Sequence, residues 1–422
     1  MNNNGVNSHR ICVYIETEVQ FQSIEPVLER LLTDKKTTLY IFVPVSEQEN
    51  QEIFDETAKV IQSHGYKVNR SMSDKIKKTK YQVLLSPYIY HWQYYEINAK
   101  YYLQYSYGSY YFNKPNWNIS RLLSEEYLAD AILSHAVGTQ EAVNVVSKTY
   151  ITPELRLANF KPKPLKKGEK RTIAFVPTYN DLKFAIRFIE SIDDMRKQYR
   201  VILRGHHRSI HVEKDKVMYT NFSNKFDAVY DSSDITIKQV LEESDLVISD
   251  NSSAFLEAMN VRVPVALFSK NPNEFRYRDI NSTQYDLVEK GEVLWTNQPQ
   301  ELMNIIERTL RRDMIERQRK ASDRMFPVVS RKDPVDQYMD IINIYMEDQL
   351  PSNYYYMKRY WIEKIENLIH ENDVKELEIK RLKVEHESDL KLRDEHLNDI
   401  LSSTSWRLTE PVRAIGSIFR RR

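Results

Sequence analysis

Residues 245–268, DLVISDNSSAFLEAMNVRVPVALF, decide the fold. The apolar run 246–249 predicts a buried strand that ends at Asp250. Residues 252–259 predict a helix, and residues 263–268 predict a second strand. Short, almost continuous apolar strands on either side of a helix are typical of a parallel sheet with helical crossovers. The stretch therefore predicts a doubly wound α/β unit.

The same alternation extends on both sides of this stretch. Around it, the chain has further predicted strands at 172–176, 199–203, 228–230 and 292–295 and predicted helices at 182–196, 235–243 and 299–311. Residues 10–148 repeat the pattern, with predicted strands at 11–15, 38–43 and 81–85 and predicted helices at 24–32, 50–63 and 125–134. The aromatic stretch 101–111 shows neither the apolar period of a helix nor that of a strand. The basic, proline-containing segment 159–168 predicts a linker between the two units.

The chain has a different character from residue 353 onward. Residues 353–401 are highly charged and lack Pro and Gly, and their apolar residues recur at loosely helical spacings, which predicts a long amphipathic helix or a coiled coil. The expected architecture is α/β and GT-B-like, with two doubly wound Rossmann-like domains plus a long C-terminal α-helix. The expected regions are 1–160, 161–350, the helix 351–403 and a basic amphipathic tail 404–422.

Composition excludes several classes of function. The net charge of the 422 residues is +1, so no overall basic field points to nucleic acid. The single cysteine, Cys12, excludes a disulfide framework, and its apolar surroundings predict a buried core thiol. The eight glycines form no glycine-rich phosphate loop. No cofactor is expected.

Two features bear on localisation. The first ten residues are polar, and no apolar run approaches the ~20 residues that span a bilayer. We therefore expect a cytoplasmic protein.

The richest group of polar residues follows the strand 246–249. Asp250 ends the strand, and Ser252 and Ser253 open the next helix, where unpaired N–H groups favour an anion. Glu257 lies one turn further and is placed to accept hydrogen bonds from a ribose diol. The alternative is that Ser252 only caps a core helix.

Two other strands end in groups suited to phosphate chemistry. Arg204 suits a pyrophosphate, and His206 suits proton transfer or the binding of a phosphate oxygen. The alternative is an exposed polar turn. The neighbouring His207 suggests a metal, but no carboxylate cluster accompanies the pair, so no metal is expected. Thr178 follows the strand 172–176 in a weaker motif, whose polar residues could instead cap the next helix.

The order of these motifs resembles the CDP-glycerol:poly(glycerophosphate) glycerophosphotransferase family, the teichoic-acid polymerase-like enzymes. The family pattern has a strand ending in A-P-T, a K/R-x-H-P turn, and D-x-x-x-S-D-Y-S-S followed by an acidic residue. Residues 175–178, 204–206 and 245–253 take these three places, with Asn251 where the family has tyrosine. The similarity covers mainly residues 172–268.

The resemblance implies a GT-B transferase with a CDP-alditol donor bound by domain 161–350 and an acceptor bound by domain 1–160. Transfer of glycerol phosphate or ribitol phosphate would release CMP. It implies the following roles in this sequence: His206 as a catalytic group at the departing phosphate, and Thr178, Arg204, Asp250, Ser252, Ser253 and Glu257 in donor binding.

One departure concerns the first domain. The family presents a His-Gly pair there as the base, and the nearest match in this chain is Tyr107-Gly108. A phenol with an ordinary pKa of about 10 is a poor base at neutral pH. By this match Tyr107 is the candidate catalytic residue of the first domain. Because a phenol is a poor base, three alternatives stay open: another base, another reaction or an inactive protein. His91 and His135 stand alone and are expected to be structural.

The tail is similar to a segment that ends helical extensions in many bacterial surface-polysaccharide glycosyltransferases. This segment, S-x-S-W-R-x-T-x-P-x-R, matches residues 403–413, and Arg420, Arg421 and Arg422 follow. Apolar residues beside this basic cluster suit contact with anionic headgroups on the inner face of the membrane, although a solvated tail is the alternative. The expected partners are a nucleotide donor, a lipid-linked glycan acceptor, the membrane surface and, through the long helix, a second copy of the chain.

Two other functions remain open from the sequence. The first is a nucleotide-sugar-dependent glycosyltransferase of surface polysaccharide synthesis with the same architecture. The second is a catalytically degenerate scaffold, whose long helix recruits partner transferases.

Overall fold

The computed structural model describes most of the chain. The described residues are 9–45, 51–70, 78–87, 97–105, 129–135, 148–178, 182–206, 217, 220–230, 235–250, 252, 254–269, 276–277, 280–281, 283–328, 330–350 and 354–402.

The first half of the chain forms a parallel sheet of seven strands. They are β1 (His9–Tyr14), β2 (Thr37–Phe42), β3 (Val68–Asn69), β4 (Tyr81–Ser86), β5 (Ala99–Tyr105), β6 (Ala131–Ser134) and β7 (Lys148–Ile151). Their spatial order is β3-β2-β1-β4-β5-β6-β7, and every pairing is parallel. The chain winds outward from β1 in one direction, then returns to add β4 on the other side. The switch point lies between β1 and β4.

Two helices follow the first two strands. They are α1 (Glu18–Thr33) and α2 (Gln51–Ser63). Thr17 begins α1 with a capping box: its side chain accepts from the N–H of Gln20, and the Gln20 side chain accepts from the N–H of Thr17. The buried face of α1, which includes Phe21 and Leu28, packs in the core beneath β1 and β4.

One sequence prediction in this domain is wrong. Residues 125–134 were expected to be helical, but Ala131–Ser134 is a buried strand between β5 and β7. A short apolar run has no periodicity that separates a buried strand from a buried helix, and the neighbouring strands decide the outcome. The first five residues of the aromatic stretch 101–111 belong to β5.

The second parallel sheet has six strands. They are β8 (Thr172–Phe175), β9 (Arg200–Arg204), β10 (Ala228–Tyr230), β11 (Leu246–Ser249), β12 (Val265–Phe268) and β15 (Leu294–Thr296). Their order is β10-β9-β8-β11-β12-β15, so this sheet has its own switch point, between β8 and β11. A separate antiparallel pair is formed by β13 (Arg276–Tyr277) and β14 (Ile280–Asn281). The prediction of two doubly wound domains is confirmed.

Helices cover both faces of the second sheet. They are α3 (Leu182–Gln198), α4 (Ile237–Glu243), α5 (Ala254–Asn260), α6 (Thr283–Glu289), α7 (Leu302–Thr309) and α8 (Arg312–Met325). Their apolar residues form two clusters, one on each face. Residues 299–311, predicted as one helix, form a 3₁₀ turn followed by α7.

The helix α9 (Pro334–Met346) returns the chain to the first sheet. Pro334 takes its first position, and the Asp333 side chain accepts from the N–H of Val335. Its buried residues, including Tyr338 and Tyr345, belong to the core of the first domain. This helix therefore packs with the first sheet, although its residues lie within the range expected for the second domain.

The predicted long helix is present as α10 (Tyr354–Ser402), and residues 355–422 form a unit of their own. Several of its apolar side chains are more than half exposed, among them Leu377 and Val384. Among the helices that the structure describes, none has the length and apolar character required to cross a membrane. The predicted tail, 404–422, lies outside the described residues.

Candidate active site

The carboxyl ends of β8, β9 and β11 bring together four of the residues expected to bind a donor. Thr178 follows β8, Arg204 ends β9, and Asp250 and Ser252 follow β11. These strands lie side by side, and two of them flank the switch point of the second sheet. Parallel α/β sheets bind their ligands in the crevice at this position. The sequence motifs therefore converge on one place.

Asp250 joins two of the strand ends. Its carboxylate is buried and accepts from the N–H of Thr178, at 3.0 Å through Oδ1 and 3.2 Å through Oδ2. Oδ1 also accepts from the N–H of Ser252 at 3.1 Å. Beneath it, the Ser249 hydroxyl donates to the carbonyl of Val176 at 2.6 Å. Asp250 thus fixes the two loops that frame the crevice.

Ser252 has the capping contact that was the alternative to ligand binding. Its Oγ accepts from the N–H of Ala254, the first residue of α5, at 3.3 Å. A hydroxyl has one donor and two acceptor positions. The cap uses an acceptor position, so the same hydroxyl retains a proton that it can donate to a phosphate oxygen. The two roles are chemically compatible.

Arg204 and His206 follow one another at the end of β9. Arg204 is buried, and its Nε donates to the carbonyl of Ile235 at 3.2 Å. This contact fixes the plane of the guanidinium, which is the group best suited to two phosphate oxygens at once. His206 is half-buried. The site therefore combines one fixed cation with one titratable group.

Glu257 lies in a buried ion pair. Its side chain is 5% exposed, and Oε1 accepts from Nη2 of Arg156 at 2.9 Å. Arg156 comes from the segment that leaves the first sheet, so the pair connects the two halves of the molecule. Nε of the same guanidinium donates to Oε1 of Glu154 at 3.0 Å. A carboxylate can accept several hydrogen bonds, so Glu257 can accept from a ribose hydroxyl while it stays paired with Arg156.

His135 continues the same network. Its Nε2 lies 3.2 Å from Oε2 of Glu154, and its Nδ1 lies 3.1 Å from the carbonyl oxygen of Thr152. Both neighbours of the ring are hydrogen-bond acceptors. Beyond His135, the charges of Glu154, Arg156 and Glu257 alternate in sign along one row. We call these four residues the buried charge row.

Sequence reasoning missed two members of the buried charge row, Glu154 and Arg156. The available signal was a pair of opposite charges interleaved with Leu155 and Leu157, which are both buried, in a segment entering the interdomain linker. His135, expected to be structural, is buried and bonded on both sides.

Three expectations lie outside the described residues. They concern Tyr107, Ser253 and His91. Among the side chains that the structure does describe, no three of His, Cys, Asp or Glu are grouped so that they could hold a metal ion.

Solved structures share this fold. The wall teichoic acid polymerase TagF matches with a TM-score of 0.53 at 13% identity, over 81% of this chain and 89% of that one. A structure described as a UDP-N-acetylglucosamine 2-epimerase from Listeria monocytogenes matches with a TM-score of 0.52 at 12% identity, over 81% and 97%. MnaA of S. aureus with UDP gives 0.52 at 11%, over 80% and 97%. The architecture is therefore the GT-B fold.

One segment of the chain matches a family model by sequence. Residues 160–333 match the model of the CDP-Glycerol:Poly(glycerophosphate) glycerophosphotransferase family. This segment contains the crevice at β8, β9 and β11, and the match confirms the resemblance seen in the motifs. No curated protein matches the chain by sequence.

Proposed function

We propose that this protein transfers glycerol phosphate, or ribitol phosphate, from a CDP-alditol to a hydroxyl of a lipid-linked cell-surface glycan and releases CMP. The observation that carries the proposal is the convergence of Thr178, Arg204, Asp250 and Ser252 at the switch point of the second sheet. This convergence lies within the segment that matches the glycerophosphotransferase family.

The donor would lie across these strand ends. Arg204 offers a fixed cation to the diphosphate, and the Ser252 hydroxyl offers a proton while its cap remains intact. Asp250 would act indirectly, because its oxygens accept from the N–H groups of Thr178 and Ser252 and hold both loops. Glu257 would approach the ribose from a position that Arg156 fixes.

The reaction is a displacement at the β-phosphorus. The oxygen of the acceptor hydroxyl forms a new P–O bond, and the P–O bond to CMP breaks. The bridging oxygen departs with CMP and keeps the electron pair of the broken bond. His206, beside Arg204, would stabilise or protonate that oxygen, a role that suits an imidazole near neutral pH. The proton of the acceptor hydroxyl must pass to a base on the acceptor side.

Other regions of the chain would bind the acceptor and contact the membrane. The first sheet would hold the acceptor, and the basic tail 404–422 would hold the enzyme against anionic lipid on the inner face of the membrane. Self-association through α10 would add a second copy to that surface.

Sugar-nucleotide transfer is the second candidate. The likeness to a structure with UDP favours it, because it shows that this architecture accommodates a uridine nucleotide. The chemistry of a diphosphate site is the same for both donors, so the base and the transferred group distinguish the two functions.

Substitution of His206→Ala tests enzyme against scaffold. CMP release from CDP-glycerol in the presence of a glycerol phosphate oligomer should fall by about 10²-fold or more, as expected for a lost acid–base group. The control is His370→Ala, because His370 is exposed on α10, and its rate should equal that of the wild type. A His206→Ala variant as active as the wild type would refute the assigned role. A wild type that releases no CMP or other nucleotide would favour the scaffold.

A further inference from the structure

Glu18 stands at the switch point of the first sheet. It is the first residue of α1, directly after the carboxyl end of β1, and the switch point lies between β1 and β4. This is the equivalent, in the first sheet, of the position that Thr178 and Asp250 take in the second. Its side chain is half-buried, and Nε2 of Gln22 donates to its Oε1 at 2.8 Å.

Charged groups from three elements act on this carboxylate. Glu56 and His64 belong to α2 and the turn that ends it, and Arg204 belongs to β9 in the second domain. Arg204 is near enough to stabilise the negative charge of Glu18. The charges of Glu18, in the first domain, and of Arg204, at the candidate donor site, therefore interact.

The surroundings of Glu18 suit a base at neutral pH. Burial raises the pKa of Glu18, and the charge of Glu56 raises it further, whereas the hydrogen bond from Gln22 and the charges of His64 and Arg204 lower it; the net direction is upward. A carboxylate with a raised pKa holds a transferred proton more firmly than an ordinary carboxylate does. An ordinary tyrosine, with a pKa of about 10, is already protonated at neutral pH and so cannot accept that proton.

We propose that Glu18 is the general base that deprotonates the acceptor hydroxyl. This inference rests on the proposed function and supplies a carboxylate base from the described residues of the first domain. As the acceptor oxygen bonds to the β-phosphorus, its proton passes to a carboxylate oxygen of Glu18. The bond between the phosphorus and the bridging oxygen of CMP breaks in the same step, so charge and protons balance.

Two neighbours would tune this base in opposite directions. Gln22→Leu removes a hydrogen bond that favours the ionised carboxylate, so the pKa of Glu18 should rise. Glu56→Gln removes a like charge, so the pKa should fall. The acid limb of the pH–rate profile should move to higher pH in the first variant and to lower pH in the second. A residue with a merely structural role would not produce opposite displacements.

The experiment measures CMP release from CDP-glycerol across pH 5–9, with a glycerol phosphate oligomer as acceptor, and donor binding by calorimetry. Glu18→Gln should lower kcat by about 10²- to 10⁴-fold, with a donor Kd within about twofold of the wild type, and should abolish the acid limb. Glu56→Gln should retain the wild-type kcat on the alkaline side of the limb.

The outcomes separate the inference from the proposed function. A Glu18→Gln enzyme that turns over at the wild-type rate, or acid limbs that do not move in the Gln22 and Glu56 variants, would overturn the role of Glu18 alone. A wild type that binds no CDP-glycerol would refute the proposed donor, and the role of Glu18 in that reaction with it. The donor titration distinguishes these two failures.

Discussion

The buried charge row makes a quantitative prediction about stability. Arg156→Met removes the cation between Glu154 and Glu257 and replaces it with an apolar side chain of similar length. The two carboxylates are 1% and 5% exposed, so water cannot take the place of the guanidinium. Removing one partner of a buried ion pair costs about 3–5 kcal/mol, because it leaves an uncompensated buried charge.

Urea unfolding followed by circular dichroism measures this loss. With a slope of roughly 3 kcal/mol/M, a loss of this size lowers the midpoint by roughly 1–1.7 M. The control is Arg262→Met. Its ion pair with Asp323 is 41% and 39% exposed, and such pairs contribute less than about 1 kcal/mol. Equal midpoints for the Arg156 and Arg262 variants would refute the reasoning.

A second substitution tests whether the unpaired charge is the cause. Glu257→Gln removes the carboxylate whose ion pair Arg156→Met breaks, whereas Glu154 keeps its contact with His135. The double variant should therefore be more stable than the sum of the two single losses predicts, by about 0.5–3 kcal/mol. Strict additivity would show that Arg156 acts through packing rather than through its charge.

Three further predictions concern other parts of the molecule. Burial raises the pKa of Cys12 to about 12, so Ellman's reagent at pH 8 should label it only in denaturant; rapid labelling of the folded protein would contradict the assigned burial. Burial raises the pKa of Asp348, but hydrogen bonds from Lys100 and Tyr101 outweigh it and lower the pKa overall. Its contribution is present above the ordinary value of 3.8 and is lost as the pH falls through the lowered folded pKa. Asp348→Asn should therefore lower the free energy of unfolding at pH 7 by less than about 1 kcal/mol, because this carboxylate is 49% exposed. In strong acid the substitution should have no effect on urea unfolding. A loss of stability that grows as the pH falls would contradict the prediction. Deletion of residues 404–422 should release the protein from anionic liposomes in a flotation assay, and unchanged binding would refute the membrane contact.

The parts of the fold that the sequence predicts are those in which local pattern and burial agree. Residues 245–268 form β11, α5 and β12, because the apolar runs are bounded by polar residues at both strand ends. The strand β6 was not predicted because its three apolar residues and Ser134 carry no period, and only pairing with β5 and β7 makes them extended. The placement of α9 in the first domain depends on long-range packing that no local pattern encodes.

The candidate site divides in the same way. Thr178, Arg204, Asp250 and Ser252 could be predicted, because parallel strands place their carboxyl ends along one edge. The pairing of Arg156 with Glu257 could not, because the two residues are 101 positions apart, one in a 3₁₀ turn that follows the first sheet and the other in α5. Glu18 was not predicted, for a related reason. A lone glutamate at a helix start is common, and what distinguishes Glu18 is its electrostatic interaction with Arg204 in the second domain.

Calorimetric titration of the purified protein with CDP-glycerol, CDP-ribitol, UDP-sugars and GDP-sugars tests the central claim most directly. The crevice at β8, β9 and β11 is proposed to hold a cytidine diphosphate donor, so the CDP-alditols should bind, and Arg204→Ala should weaken that binding. Binding by UDP- or GDP-sugars in preference to CDP-alditols, or no binding by a folded sample, would contradict it.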